Sequence, residues 1–274
     1  MITDSFVLDA RFPDCTLTTY IHEPFAELNI SARRAMIVCP GGGYEFLSDR
    51  ESEPVALQYF AAGLNVFVLR YSVKDASAAY APLIEAALAV KHVRDHAADY
   101  HVDPAYVFIS GFSAGGHVAA SLCTKWKDPV VKKALGILSA KVCRPTAGVL
   151  CYPVITGGPY AHRGSINRVT AGQTGTPEEL IERWSLEKQV DHDTCPAFIW
   201  HTYDDTCVPI QNTLLYASAL AQAGVPFEYH VYPSGVHGLS LANSETSVGQ
   251  AALDIPVVAA WINDAVRYCQ QFKA

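Results

Sequence analysis

Short apolar runs alternate with longer amphipathic segments along most of the chain. Runs of four to six mainly apolar residues bounded by turn-forming residues are typical of buried strands. They occupy positions 35–39, 66–69, 106–110, 148–151, 197–201 and 227–232. Segments with helical features lie between and after these runs, at 53–62, 79–100, 116–122, 211–223 and 251–272. In 79–100, for example, apolar residues recur at helical spacing.

Strand and helix alternate with short connections, and this order predicts a mostly parallel sheet covered by helices on both faces. Residues 6–8 and 17–21 precede the alternation and are predicted to form an antiparallel hairpin at the sheet edge. We therefore expect a three-layer α/β fold, with residues 1–274 forming a single domain.

Residues 152–196 interrupt the alternation because they contain no clear strand. Glycine and proline occur at 157–159 and again at 175–177. A helix is predicted over 178–184, with Thr176 and Glu179 forming a capping box at its start. We expect this segment to be a small cap over an active site.

Composition narrows the possible partners. Half of the residues are hydrophobic and 17% are charged, and 20 basic against 27 acidic residues give a net charge of −7. There is no basic run, so nucleic acid and anionic membrane surfaces are not expected partners. The sequence shows no signal peptide and no apolar span, which predicts a cytoplasmic protein. The eight cysteines are scattered, and we expect them to be mostly buried free thiols.

A serine lies at the turn between a predicted strand and a predicted helix, in Gly111-Phe112-Ser113-Ala114-Gly115. A nucleophilic serine in this pattern occupies a tight strand-to-helix turn, which needs small residues two positions before and after it. Gly111 and Gly115 meet that need, and Gly116 lets the helix approach the sheet closely. We predict that Ser113 is a catalytic nucleophile.

A serine nucleophile needs a histidine base and a carboxylate that orients the histidine. In enzymes whose nucleophilic serine lies at such a strand-to-helix turn, the chain order is serine, acid, histidine. After the run ending at position 201 come two candidate acids, and the Asp-x-x-Val-Pro spacing favours Asp205 over Asp204, which is expected to satisfy backbone groups of the turn. The base is predicted to be His237, because it lies in a glycine-containing loop after the last strand.

The oxyanion that forms during acyl transfer needs backbone N–H donors. Pro40-Gly41-Gly42-Gly43 follows the first central strand, where such donors are found in this fold. We predict that Gly42 or Gly43 donates together with Ala114, and the sequence does not choose between the two glycines. A phosphate-binding loop is not expected, because the chain has neither the Lys-Ser/Thr pair of a P-loop nor a Gly-x-Gly-x-x-Gly run.

With these motifs the chain resembles the α/β-hydrolases of the esterase/lipase type, close to bacterial acetyl esterases and xylan- or feruloyl-esterase-like proteins. The resemblance extends over nearly the whole length, from Pro40 to Gly238. It departs from the hormone-sensitive-lipase branch, which has His-Gly-Gly-Gly and an acidic residue before the serine where this chain has Pro40 and Phe112. The resemblance therefore implies a small carbohydrate-esterase-like enzyme.

We accordingly predict a serine carboxylesterase that hydrolyses short-chain acyl esters, above all acetates, including those of carbohydrates. Tyr44, Phe112 and Trp184 are the predicted substrate-binding residues, and no metal or organic cofactor is expected. The partner is a small-molecule ester, and homo-oligomerisation is left open. The alternatives are an amidase or peptidase with the same triad, a lipase for longer acyl chains, and a non-catalytic binding protein.

Overall fold

A central sheet of eight strands organises the chain in the computed structural model, which describes residues 1–273. Strands β3 to β8 run parallel, while β2 is antiparallel to both β1 and β4. The order across the sheet is β1-β2-β4-β3-β5-β6-β7-β8. The strands are β1 (Ile2–Val7), β2 (Thr16–Ile21), β3 (Arg33–Cys39), β4 (Asn65–Arg70), β5 (Val102–Phe112), β6 (Gly148–Cys151), β7 (Ala197–Thr202) and β8 (Phe227–Tyr232).

Helices cover both faces of this sheet. One face packs against α2, α3 and α7, and the other packs against α1 and α9. This arrangement confirms the predicted three-layer α/β-hydrolase fold. The helices are α1 (Glu53–Ala61), α2 (Ala81–Asp95), α3 (Ser113–Lys125), α4 (Pro129–Leu135), α5 (Arg163–Thr170), α6 (Pro177–Trp184), α7 (Gln211–Gln222), α8 (Pro256–Ala259) and α9 (Trp261–Gln270).

The predicted closing helix over 251–272 was wrong as a continuous element. The structure has a single 3₁₀ turn, then the short α8 and the longer α9. Pro256 explains the break, because the residue before a proline is driven out of helical conformation. Ile255 is accordingly extended, with φ −127° and ψ 93°.

The helix predicted over 79–100 is also shorter than expected. It begins at Ala81 and ends at Asp95, and residues 96–101 form turns that lead into β5. Helices α4 and α5 were not predicted. In the segment 152–196, the structure describes α5 and α6 and no strand, and Thr176 and Glu179 form the predicted capping box.

All eight cysteines lie within the described residues and are unpaired. Seven are buried, as predicted, while Cys207 is exposed. None of the helices in residues 1–273 combines the length and apolarity that crossing a membrane requires.

Candidate active site

Ser113 lies at the junction where β5 ends and α3 begins. Its φ of +52° is in the left-handed region, which costs a non-glycine residue on the order of 1–3 kcal/mol. The glycines around it leave no room for a side chain. A Cβ on Gly111 would lie 2.1 Å from the Gly115 carbonyl oxygen, and one on Gly115 would lie 2.2 Å from the Cys39 carbonyl oxygen. The turn therefore needs the glycines that the sequence provides.

Three side chains from distant parts of the chain meet at this turn. Ser113 Oγ is 2.8 Å from Nε2 of His237, and Nδ1 of the same imidazole is 2.6 Å from Oδ2 of Asp205. An ionised carboxylate can only accept hydrogen bonds, so Nδ1 carries the proton, and Nε2 accepts a hydrogen bond from the serine hydroxyl. This tautomer leaves the imidazole able to take a proton from Ser113.

Asp205 is buried and surrounded by donors. Its Oδ1 accepts from the N–H groups of Cys207 (2.9 Å) and Val208 (3.0 Å), while Nε2 of His201 lies 3.3 Å from Oδ2. Burial alone would raise the pKa of Asp205, but the hydrogen bonds with His201 and His237 outweigh burial and hold the pKa well below its usual range. The carboxylate therefore stays ionised beside the imidazole.

Asp204, the alternative acid, does not reach the imidazole. It accepts from the Ser234 hydroxyl (2.7 Å) and the Gly235 N–H (2.7 Å). Its contacts hold the loop that carries His237, in keeping with the turn role predicted for it.

In the glycine loop after β3, two glycine carbonyls accept backbone hydrogen bonds, while two glycine amides donate to no backbone acceptor. The Gly41 carbonyl accepts from the Ser48 N–H, and the Gly42 carbonyl accepts from the amides of residues 45 and 46. Gly42 and Gly43 have φ of +133° and +66°, which suit glycine. Among residues 1–273 no backbone acceptor takes their N–H groups. Ala114 lies in the first turn of α3, where amides have no intrahelical acceptor.

A cavity of about 480 Å³ opens over Ser113. Most of its lining residues are polar or glycine, but the surface they expose to the cavity is mainly apolar. Phe46, which is 62% exposed, is the one large apolar side chain among them. The lining residues are Gly42, Gly43, Glu45, Phe46, Ser48, Arg50, Glu51, Ser113, His162, Gly164, Cys207, His237 and Gly238.

The three predicted substrate-binding residues do not line this cavity. Tyr44 is buried, with its hydroxyl 2.8 Å from Nδ1 of His117, and Phe112 is buried against Trp261. Trp184 is buried with its ring 5.8 Å from that of His117. The large rings near Ser113 and at the end of α6 pack in the core instead, because burial of their apolar surface stabilises the fold.

Several polar residues of the site were missed, among them Glu51, His162 and His201. Glu51 and His162 line the cavity, and His201 lies beside Asp205. Glu51 and His162 carry no sequence signal, since an acid before a helix and a histidine in a loop are ordinary. His201 ends the apolar run four residues before Asp205, a position that could have drawn attention to it.

Burial shifts the pKa of Glu51 and that of His162 in opposite directions. It raises the pKa of Glu51, against the opposing hydrogen bonds from Tyr152 and Gly41. It lowers the pKa of His162, and the proximity of His237 lowers it further. Within residues 1–273 no group of three or more His, Cys, Asp or Glu side chains is arranged to hold a metal ion.

Known proteins are similar to this chain in sequence and in fold. The BD-FAE family model matches residues 26–220. Endo-1,4-beta-xylanase B of Butyrivibrio fibrisolvens is 40% identical over 216 residues, which are 78% of this chain and 33% of that protein. The acetylxylan esterase of Xylanibacter ruminicola is 31% identical over 209 residues, 75% of this chain and 41% of that one. The chain thus spans less than half the length of these two relatives.

Among solved structures, the carboxylesterase Cest-2923 from Lactobacillus plantarum superimposes with a TM-score of 0.86 at 29% identity. The match covers 99% of this chain and 98% of that one. The similarity in this case extends over both chains almost completely.

Proposed function

This chain belongs to the BD-FAE family of α/β-hydrolases, and we propose that it is a serine carboxylesterase that cleaves short-chain acyl esters. The observation that carries the proposal is the continuous hydrogen-bonded series from Ser113 through His237 to Asp205 at the floor of an open cavity. A series of this kind is what acyl transfer to a serine requires.

In the proposed reaction, Ser113 Oγ attacks the ester carbonyl carbon while His237 Nε2 takes the hydroxyl proton. Asp205 holds the imidazole in the required tautomer and stabilises the imidazolium. The tetrahedral intermediate collapses, its bond to the alcohol oxygen breaks, and His237 returns the proton to the departing alcohol. A water molecule, deprotonated by His237, then attacks the acyl-enzyme. The bond between the acyl carbon and Ser113 Oγ breaks, His237 returns the proton to Oγ, and the carboxylic acid leaves.

The negative charge of each tetrahedral intermediate is proposed to be stabilised by the N–H of Gly42 or Gly43 together with that of Ala114. One such donor is typically worth about 3 kcal/mol at the transition state. The glycines support this role because they line the cavity with Ser113 and their amides face no competing backbone acceptor in residues 1–273.

Short acyl groups, above all acetate, are proposed as the preferred acyl part of the substrate. One cavity of about 480 Å³ has to hold both the acyl and the alcohol portions, and Phe46 is the one large apolar side chain among lining residues that are otherwise glycine, cysteine or polar. These polar groups suit a hydrated alcohol such as a sugar. The name of the Xylanibacter ruminicola relative, an acetylxylan esterase, points the same way.

Residues 152–196 are proposed to act as the cap of this site. They contribute His162 and Gly164 to the cavity. From α5 of the same segment, Arg168 forms ion pairs with Glu45 of the glycine loop and with Asp75. Exposed ion pairs of this kind contribute little stability. We therefore propose that their role is to hold the cap in position over the cavity.

The p-nitrophenyl esters of acetate, butyrate, octanoate and palmitate test this proposal. We expect kcat/KM to be highest for acetate and to fall with chain length, and matched amides to be turned over far more slowly. Ser113→Ala is the control and should lose at least about 10³-fold in kcat. A preference for octanoate or longer would favour a lipase instead, and faster amide cleavage would favour an amidase.

A further inference from the structure

Glu51 is a buried carboxylate in the catalytic cavity that no step of the proposed reaction uses. The residue is only 3% exposed. Burying an ionised carboxylate is costly unless donors replace its water. Both oxygens of Glu51 have such donors, because Oε2 accepts from the Gly41 N–H (2.7 Å) and Oε1 accepts from the Tyr152 hydroxyl (2.6 Å).

Tyr152 extends this contact to the loop of the catalytic histidine. Its hydroxyl oxygen also accepts from the N–H of Ser240, at 2.8 Å, three residues beyond His237. The Tyr152 and His237 rings meet edge to face, with centroids 5.1 Å apart. Tyr152 has a φ of +37°, a strained conformation that persists only where surrounding contacts enforce it.

On its other side, Glu51 holds the glycine loop against the turn that carries Ser113. A Cβ on Gly41 would lie 2.7 Å from Glu51 Oε2, 2.8 Å from the Phe112 carbonyl oxygen and 3.0 Å from Ser113 Cβ. The loop, the carboxylate and the nucleophile turn are therefore in close contact. The Gly41 N–H bound to Glu51 belongs to the Pro40–Gly41 peptide. This hydrogen bond restricts the orientation of that peptide, which leads into Gly42 and Gly43.

We propose that Glu51 and Tyr152 are a positioning pair that ties the glycine loop to the histidine loop and so fixes the oxyanion donors relative to Ser113. Neither residue transfers a proton to or from the substrate. The kinetic consequence rests on the proposed esterase function, whereas the tie between the two loops does not.

Glu51→Gln and Tyr152→Phe test the pair. A glutamine has only one oxygen, so it cannot accept from both Gly41 and Tyr152, while phenylalanine keeps the ring and removes the link to Ser240. Because oxyanion donors act mainly in the transition state, we expect kcat for p-nitrophenyl acetate to fall about 10-fold or more with KM changed less than about 2-fold.

Binding of a trifluoromethyl ketone, which forms an oxyanion adduct with the serine, should weaken in proportion to the loss in kcat/KM. The double variant should lose little more than Glu51→Gln alone, since both changes break one connection.

Glu85→Gln is the matched control, because Glu85 is also a buried carboxylate that accepts from two donors, the N–H and hydroxyl of Ser72, and it does not line the cavity. Its kcat should stay within about 2-fold of wild type. A folded Glu51→Gln variant with wild-type kcat, or a loss shared equally by Glu85→Gln, would overturn the proposal.

Amide hydrogen exchange separates this inference from the esterase proposal. Peptides covering residues 40–48 and 236–242 should exchange faster in both Glu51→Gln and Tyr152→Phe than in wild type, and unchanged exchange in both peptides would overturn the tie. Absence of ester turnover by the wild-type protein would instead contradict the esterase function, and the exchange result would still decide the tie.

Discussion

At the scale of single residues, the sequence identified groups whose neighbours in the chain are distinctive. Ser113 lies between two glycines, and two residues separate Asp205 from Val-Pro, so local spacing was enough to select them. The structure brings both to His237. Glu51 and His162 reach the cavity only through tertiary packing, and no local pattern distinguishes them from ordinary surface residues.

Exchange of the two neighbouring acids tests which one orients the imidazole. We expect Asp205→Asn to lower kcat about 10³-fold or more, since an amide cannot stabilise the imidazolium or enforce its tautomer. Asp204→Asn keeps one acceptor oxygen for the loop of His237 and should cost less than about 10-fold. Rates with p-nitrophenyl acetate decide, and the opposite ranking would contradict the assignment of Asp205.

Glu85 should make stability depend on pH. Burial, opposed by hydrogen bonds from Ser72, raises the pKa of this carboxyl from 4.5 to about 7. Between these values the folded protein keeps a proton that the unfolded chain releases, so the free energy of unfolding falls as pH rises through this window and is then constant. At about 1.4 kcal/mol per unit of pKa difference, the effect is at most about 3.5 kcal/mol.

Glu85→Gln removes this titration. In urea unfolding from about pH 4.5 to about pH 8, wild type should therefore lose stability relative to the variant as pH rises, with the change complete near the folded-state pKa. Parallel profiles for the two proteins would show that Glu85 has no raised pKa.

At the scale of elements, buried strands were easier to predict than helix ends. The run at 148–151 coincides with β6, which is buried at all four positions, because strands covered on both faces form short apolar stretches. Helix ends depend on where the chain must turn to pack. Helix α5 was missed because only Ser165, Ile166 and Val169 of its eight residues are buried, which leaves a weak apolar pattern.

Gly115 tests how closely α3 must approach the sheet. A methyl group there would overlap the carbonyl oxygens of Cys39 (2.2 Å) and Pro40 (2.3 Å), and both are rigid backbone atoms. We expect Gly115→Ala to destabilise the protein by about 2 kcal/mol or more, as overpacking in a tight core does. The midpoint of urea unfolding measures this, and a loss below about 0.5 kcal/mol would mean that the helix can shift freely.

At the scale of the whole molecule, the parallel sheet explains why distant residues converge. Ser113, Asp205 and His237 follow the carboxyl ends of β5, β7 and β8, and the glycine loop follows β3. Carboxyl ends of parallel strands share one edge of a sheet, where open α/β folds bind ligands. Alternation of strand and helix therefore indicates at which edge of the sheet the candidate site lies, but the side chains that line the cavity also depend on how residues 152–196 fold, because they contribute His162 and Gly164.

The proposed reaction depends most directly on which residue is the nucleophile. Incubation with a fluorophosphonate probe followed by peptide mass spectrometry identifies that residue. We predict that wild type takes up a single probe molecule on Ser113, and that Ser113→Ala takes up none while unfolding at a similar temperature, since the triad acts through this hydroxyl. Labelling of another residue in wild type, or equal labelling of Ser113→Ala, would contradict the account.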